Sequence, residues 1–215
     1  MHFAISSSLH NKKNFTHDLK FAENLFNFCK KNKIVCYYIS SISAFRENKS
    51  LYSKLKIKIE DIANSKNIKI IRPGMIWGYK PMSWFGNINI IIEKCIFFVP
   101  MIGAGDRHIY MANINNFMDA LLKIFKLKDC NKFVIFNKDT INFKLLVKKI
   151  CKKKKKKNIL IPIPIFLIFK IFRLLYTFKI LSSSTYDSLQ SYKYAKKHTF
   201  AGYKVINTIK SFNKY

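Results

Sequence analysis

The sequence has little arginine, although it carries a formal net charge of +29. Of its 40 basic residues, 36 are lysines and four are arginines. Sites that read phosphates or bases favour the planar, forked arginine side chain. The lysines are also spread over the whole chain instead of forming one basic arm. These two features argue against nucleic-acid binding, and the excess of lysine is typical of codon bias in an AT-rich genome.

Paired cysteines are also missing. The five cysteines form no CxxC pair and have no histidine at zinc-site spacing, which argues against a metal site and against a disulfide framework. The N-terminal residues lack the basic and then apolar layout of a secretion signal. The sequence therefore predicts a cytoplasmic protein without a bound metal.

No uncharged apolar run is long enough for a membrane span. The most apolar segment is 159–181, and its longest uncharged part, 158–169, has 12 residues, whereas a span needs about 20. Pro162 and Pro164 favour an extended entry into a helix. We expect a substrate-domain helix or a peripheral membrane contact here. The preceding run, 148–157, holds eight lysines and is predicted to be a solvated loop, with an interaction tail as the alternative.

Apolar runs typical of strands alternate with amphipathic segments along the chain. "MHFAIS", "KIVCYYIS" and "IKIIRPGMIWG" have strand character, and the segments between them, including 51–65, have apolar residues at helical spacing. "NNFMDALLKIFKL" predicts a helix with an Asn cap, and "KFVIFN" predicts a strand. Strands separated by helices imply a parallel sheet covered on both faces, so an α/β fold is expected.

One pair of residues in this pattern has the spacing of a catalytic pair. Tyr52 and Lys56 lie one helical turn apart at the start of the 51–65 helix, which follows a strand ending in Ser40 and Ser41. YxxxK alone also describes two ordinary residues on a helix face. Its position favours chemistry, because strand ends and the following helices of a parallel sheet meet at one crevice.

The chemistry open to these residues is alcohol and ketone interconversion. A tyrosine has an ordinary pKa near 10, and an adjacent ammonium such as that of Lys56 favours its phenolate form. The Ser41 hydroxyl would hold the substrate oxygen beside the Tyr52 hydroxyl. A hydride must leave as the proton leaves, which calls for a nicotinamide cofactor.

Five segments extend this pattern in order along the chain. They are "VCYYISSISAF", "YSKLKIKIE", "IIRPGMIWG", "PMIGAGDRHIYMANINNFMDALL" and "TYDSLQSYKYAKKHTFAGYKV". Together they resemble the short-chain dehydrogenase/reductase superfamily, and more closely its extended branch, the NAD-dependent sugar-nucleotide epimerases and dehydratases. The resemblance implies a Rossmann-like, doubly wound parallel sheet with a small C-terminal substrate region.

The resemblance also implies roles for individual residues. The catalytic residues would be Ser41, Tyr52 and Lys56. An NAD or NADP cofactor would contact Ala4, Tyr52, Lys56, Pro73, Gly74 and Ile76. A nucleotide-sugar substrate would contact Ser41, Ser43 and Arg107.

The sequence departs from the family in two respects. The first glycine is Gly74, so the glycine-rich phosphate-binding turn that follows the first strand of the family is absent. "MHFAIS" resembles the fourth strand of the family, so an N-terminally truncated member is expected. Ser41 is followed by Ile42 and Ser43, where the dehydratases have Asp and Glu, which disfavours dehydration and leaves epimerase and ketoreductase open.

The resulting hypothesis divides the chain at residue 80. Residues 1–80 would be the C-terminal part of the cofactor domain, and 81–215 the substrate region mixed with returning sheet elements at about 106–137. The proposed activity is a sugar-nucleotide epimerase or ketoreductase serving polysaccharide synthesis, and a homodimer is compatible with the sequence. The alternatives are an inactive remnant of the same fold, and a lysine-rich protein that binds membrane surfaces or nucleic acid.

Overall fold

The structure is a computed structural model that describes residues 12–45, 47, 50–78, 83–157, 159–178, 183–193 and 199–208. Its helices and strands, in chain order, are α1 (Lys12–Lys31), β1 (Tyr37–Ile39), α2 (Leu51–Ser65), β2 (Lys69–Pro73), β3 (Met75–Trp77), α3 (Ser83–Lys94), β4 (Phe98–Ile102), β5 (His108–Ile109), β6 (Met111–Asn113), α4 (Ile114–Lys126), β7 (Lys132–Asn137), β8 (Ile141–Asn142), α5 (Phe143–Lys153), β9 (Ile159–Ile163), α6 (Ile165–Thr177), α7 (Ser183–Lys193) and β10 (Lys204–Thr208).

Among the described residues, the main sheet has four parallel strands in the order β1-β2-β7-β10. Side chains alternate across it, as the twofold repeat of a strand requires. Tyr38 and Ile70 pack with α1 and α2 on one face, whereas Tyr37, Ile39 and Ile71 pack with α4 on the other. Helices therefore cover both faces, which confirms the α/β prediction.

A second core lies beside this sheet. It contains two ribbons, β4 paired with β9 in parallel and β5 paired with β8 antiparallel, together with the β3–β6 pair. Their inward side chains pack against α3, α5 and α7 in a cluster that includes Ile92, Met101, Met111, Leu146 and Tyr192. The division of the chain at residue 80 stays a prediction. Strands from both sides of that residue share the main sheet, because β1 and β2 precede it and β7 and β10 follow it.

The lysine-rich run is not the solvated loop that was predicted. Helix α5 continues through it to Lys153, and only its last residues lie in a loop. The reason is an apolar stripe hidden among the lysines: Leu146, Val147, Ile150 and Cys151 are all buried. Asn142 begins the helix, because its side chain accepts a hydrogen bond from the Leu145 N–H at 2.8 Å.

The segment "IKIIRPGMIWG" forms two strands instead of one. The chain leaves the main sheet at Gly74, where the Met75 N–H donates to the Tyr110 carbonyl at 2.7 Å, and β3 pairs with β6. Gly74 is required there, because an added Cβ would lie 2.6 Å from the Tyr110 carbonyl oxygen. The segment "NINIIIEKCIFFVPMIGAG" has a pattern that predicts a helix leading into a loop, and the structure instead has strand β4 in its second half.

Two further expectations concern the first residues of the sequence and segment 159–181. The predicted first strand, "MHFAIS", lies outside the described residues. Segment 159–181 is extended in β9 and helical in α6, as Pro162 and Pro164 suggested. Among the residues that the structure describes, no helix is both long enough and apolar enough to cross a bilayer.

Candidate active site

The candidate site lies at the C-terminal ends of β1 and β2. Ser41 is the second residue after β1, and the next residue, Ile42, donates its N–H to the Pro73 carbonyl at the end of β2 at 3.0 Å. This bond holds the two strand ends together beyond the last paired residues. In parallel sheets of this kind, ligands bind in the crevice outside the carboxyl ends of the strands.

Helix α2 begins beside these strand ends because serines fix its first turn. The Ser50 side chain caps the helix by accepting from the Ser53 N–H at 3.1 Å. The buried Ser53 hydroxyl in turn donates to the Ser43 carbonyl at 2.7 Å. The start of α2 is therefore tied to the loop that carries Ser41.

Three hydroxyl groups meet at this point. The oxygens of Ser41 and Ser43 lie 2.8 Å apart, and the Ser41 side chain also forms a hydrogen bond with the Tyr52 hydroxyl. Burial raises the pKa of Tyr52 above its ordinary value, and the bond to Ser41 opposes this rise. At neutral pH Tyr52 is therefore a neutral phenol, ready to donate a proton.

Lys56 is the most unusual residue of the site, because its charged side chain is buried. Its ammonium donates to the Ile39 carbonyl at 2.8 Å and lies 4.9 Å from the centre of the Tyr38 ring. Burial lowers the pKa of Lys56 to about 8, against an opposing attraction from Glu60. The group remains mostly protonated at neutral pH, at the cost of burying a charge.

The structure brings Tyr52 and Lys56 to the same side of α2. The Lys56 ammonium lies 5.7 Å from the centre of the Tyr52 ring. The Tyr52 pKa is nevertheless raised, whereas an adjacent ammonium was expected to favour the phenolate. The physical reason is that desolvation of Tyr52 is the larger effect in this arrangement.

A buried ion pair stiffens α2 one turn further on. Glu60 accepts two parallel bonds from the Arg72 guanidinium, one of them from Nε at 2.8 Å. The Tyr203 hydroxyl donates to the same carboxylate at 3.3 Å, and its ring lies 4.4 Å from the guanidinium carbon. Bidentate pairs fix orientation as well as distance. They hold α2 against β2 and hence hold Lys56 in register with β1.

Asp187 of α7 is a contributor that sequence reasoning missed. Its carboxylate accepts from the N–H groups of Leu51 and Tyr52 at 2.6 and 3.1 Å, although it lies 135 residues from Tyr52. The one signal in the sequence is that the first turn of α2 has no acidic residue to complement the helix dipole. Five residues on, Tyr192 packs in the second core, so α7 joins that core to α2.

Replacing Asp187 by Ala should loosen the first turn of α2. A carboxylate on free N–H groups at a helix start is worth about 1 kcal/mol, so we expect the Leu51 and Tyr52 amides to exchange roughly 5-fold faster with deuterium. Asp129→Ala, at an exposed position of another connection, is the matched control. Unchanged exchange at these two amides would show that Asp187 does not cap α2.

The remaining predicted residues are spread more widely. Pro73 and Gly74 are buried at the end of β2, and Ile76 is partly exposed in β3. Arg107 lies beside the second core, where its charge acts on the buried phenol of Tyr192. Ala4 lies outside the described residues. The roles of all of these in binding stay predictions.

Sequence comparisons with known proteins give no match. No protein-family model matches the chain. No curated protein matches it either.

Solved structures, in contrast, share its fold. UDP-glucuronic acid 4-epimerase from Bacillus cereus, in complex with UDP-glucuronic acid and NAD, aligns with a TM-score of 0.56 and 17% identity over 68% of this chain and 54% of that one. dTDP-4-dehydrorhamnose reductase from Yersinia enterocolitica aligns with a TM-score of 0.62 and 16% identity over 76% and 64%. dTDP-glucose 4,6-dehydratase from Bacillus anthracis, in complex with NAD, aligns with a TM-score of 0.60 and 14% identity over 75% of this chain and 59% of that one.

These alignments confirm the Rossmann-like fold that the motifs implied. They also show that the chain spans less than two thirds of the length of these enzymes. At such low identity the likeness concerns the fold, so the chemistry has to be argued from the residues of this chain.

Proposed function

We propose that this chain, which has the fold of these sugar-nucleotide enzymes, is an NAD(P)-dependent sugar-nucleotide epimerase or ketoreductase. The observation that carries the proposal is the buried Lys56 ammonium beside Tyr52, at the C-terminal ends of parallel strands. A fold gains no stability from burying this charge next to an uncharged phenol. A perturbed, buried titratable group at a ligand-binding edge is typical of a catalytic centre.

Each residue of the trio has a distinct role in the proposed reaction. Tyr52 gives a proton to the sugar oxygen, or takes one from it, as the carbonyl and alcohol forms interconvert. Ser41, already hydrogen-bonded to Tyr52, holds that oxygen in place. Lys56 stabilises the phenolate that forms when Tyr52 has given up its proton.

The Lys56 side chain also fits a nicotinamide ribose. An ammonium has three N–H donors, and in the described part of the chain Ile39 is the one hydrogen-bond acceptor of Lys56. The proposal assigns its remaining donors to the ribose hydroxyls. The nicotinamide cofactor supplies the hydride acceptor when bound, and Pro73, Gly74 and Ile76 would contact its ring.

The substrate class is proposed from the fold and from two polar residues, Ser43 and Arg107. Ser43, bonded to Ser41, would contact the sugar, and Arg107 would contact a phosphate of the nucleotide. Neither Asp nor Glu follows Ser41, which disfavours dehydration. The product would be an epimerised or reduced nucleotide sugar, suited to polysaccharide synthesis.

The 215-residue chain itself should bind NAD weakly. The pyrophosphate of a dinucleotide binds at a glycine-rich turn, and no such turn precedes Gly74. We therefore expect a dissociation constant of about 1 mM or weaker by isothermal titration. Micromolar binding would mean that the chain anchors the cofactor in a way unlike that of the family.

Activity is tested with the chain extended at its N-terminus by strands that carry a glycine-rich phosphate-binding turn. Incubation with NAD and UDP-sugars, followed by chromatography, should yield a stereoisomer of the substrate if the enzyme is an epimerase. Consumption of NADH with a keto-sugar nucleotide identifies a ketoreductase instead. If the extended protein bound NAD but catalysed neither reaction, the result would favour the inactive remnant and contradict the proposal.

A further inference from the structure

The β4–β9 ribbon presents an apolar face to solvent. Phe98 pairs with Ile159, and Pro100 with Ile161, so these four side chains lie on the same outer face. All four are exposed, whereas Val99, Met101 and Leu160 point into the second core. Parallel strands are ordinarily covered on both faces, so this open face is unusual.

The apolar face continues into the turn before β4. Ile96 and Phe97 are 78% and 70% exposed there, more than the strand residues Phe98 and Ile159 at 54% and 63%. The Ile159 N–H donates to the Phe97 carbonyl at 2.9 Å, so the turn and the ribbon form one surface. A contiguous exposed apolar patch of this kind marks an interaction site.

Lysines border this patch directly. The Lys156 ammonium donates to the carbonyls of Ile92 and Cys95 at 3.0 and 2.8 Å, which fixes the lysine loop against the turn. A hollow of about 480 Å³ lies beside this loop, lined by Lys148, Lys152, Lys155, Lys156, Lys157, Cys151 and Leu160. Leu160 belongs to β9, so the hollow adjoins the ribbon.

From this arrangement we propose that the β4–β9 ribbon and the lysine hollow bind the surface of an anionic phospholipid membrane. Ile96, Phe97 and Ile159 would enter the boundary between headgroups and acyl chains, and the lysines would meet lipid phosphates. The contact places the protein on the membrane without a span, and it is independent of the proposed oxidoreductase chemistry.

Other occupants fit the surface less well. A second copy of the chain would bring two lysine hollows together, and like charges repel. Nucleic acid offers phosphates but no apolar counterpart for Ile96, Ile159 and Ile161. Glu93 is paired with Lys154 at 3.4 Å, and the five lysines that line the hollow give it a positive charge that attracts an external anion.

Vesicle sedimentation of the full chain tests the proposal. We expect binding to phosphatidylcholine vesicles that contain phosphatidylserine, and little binding to phosphatidylcholine alone. Neutralising three exposed lysines as K152Q/K155Q/K157Q should weaken this binding by about 100-fold. The control K20Q/K30Q/K31Q removes the same charge from exposed positions of α1 and should change binding by less than about 5-fold.

The apolar half needs its own variants. I96S/F97S should weaken binding by roughly 10-fold or more, because the inserted apolar area is lost. F28S/V35S, at exposed positions 59% and 71% accessible, is the matched control and should bind like the parent. Hydrogen exchange of the unmodified chain is a measurement that needs no variant. On anionic vesicles, we expect the backbone amides of residues 96–98 and 159 to be protected from exchange.

Several outcomes would overturn the membrane proposal. If K152Q/K155Q/K157Q and K20Q/K30Q/K31Q lost vesicle binding equally, the binding would depend on net charge alone. Full binding by I96S/F97S, or tighter binding to duplex DNA than to anionic vesicles, would also refute it. Absence of protection at residues 96–98 on vesicles that sediment the protein would place the contact elsewhere.

Discussion

Tyr52→Phe in the N-terminally extended protein is expected to lower turnover by about 10³-fold, because general acid–base catalysis contributes 10²- to 10⁴-fold. The phenol acts in proton transfer and Lys56 is left in place, so cofactor affinity should stay within about 3-fold of the parent. The measurements are turnover by product chromatography and the dissociation constant for NAD by titration.

A matched control separates catalysis from the simple loss of a hydroxyl group. Tyr176→Phe removes a phenol oxygen from an exposed tyrosine that stacks on Tyr186. This variant should keep the parent turnover. If Tyr52→Phe remained as active as Tyr176→Phe, Tyr52 would not be the acid/base and the proposed mechanism would fail.

Lys56→Met is expected to make the protein more stable and less active. The native pKa of Lys56 is about 8, whereas its ordinary value is 10.5, so the unfolded chain holds this proton more tightly than the native state. Each unit of pKa difference is worth about 1.4 kcal/mol, which gives a free-energy cost on the order of 3 kcal/mol for the buried charge. A methionine of similar length fills the space without that cost.

The pH dependence gives this prediction its sign. The cost is fully present below about pH 8 and fades as pH rises toward 10.5, where the unfolded chain also loses the proton. Urea unfolding should therefore show Lys56→Met to be more stable than the parent at neutral pH, with the difference shrinking above pH 8. Turnover in the extended protein should fall by about 100-fold, together with cofactor affinity.

Lys54→Met is the control for this substitution, since Lys54 is exposed on the same helix. It should leave both stability and turnover close to those of the parent. A Lys56→Met protein that is less stable at neutral pH would contradict the cost assigned to the buried ammonium. It would also remove the argument that function, and not folding, retains the lysine.

The sequence predicted best those elements whose local and tertiary signals agree. Helix α2 has a serine cap, an apolar stripe and helix-forming residues, and its predicted range, 51–65, is the observed one. Strand β7 is a short apolar run between turn residues, and it too lies where it was predicted. In both elements the periodicity of buried residues is uninterrupted, which is the strongest local signal.

Elements whose local signals conflict with their packing were missed. Lysines dominate 148–153, and their charge concealed the buried apolar residues that make α5 a helix. Strand β4 contains Pro100, which local rules assign to a loop or an edge, whereas an extended segment was expected around Pro162, and the sequence did not show the pairing of β4 with β9. They form a two-stranded ribbon in which each is an edge, and this depends on a pairing between segments about 60 residues apart.

The candidate site divides in the same way. The spacing of Tyr52 and Lys56 and their position after Ser41 could be read from the sequence. The contact of Asp187 with the start of α2 could not, because it depends on how α7 crosses the second core. The raised pKa of Tyr52 was also out of reach, because it follows from the degree of burial and not from spacing.

The central claim is that the Tyr52 and Lys56 crevice holds the nicotinamide half of a dinucleotide. An NMR titration of the isotope-labelled 215-residue chain with nicotinamide riboside tests it most directly, since this probe has no phosphate to bind the surface lysines. The account predicts saturable shifts at the amides of Ser41, Tyr52, Lys56 and Gly74, which persist in Tyr52→Phe and disappear in Lys56→Met. Shifts confined to other parts of the chain, or shifts at these amides that Lys56→Met leaves unchanged, would contradict it.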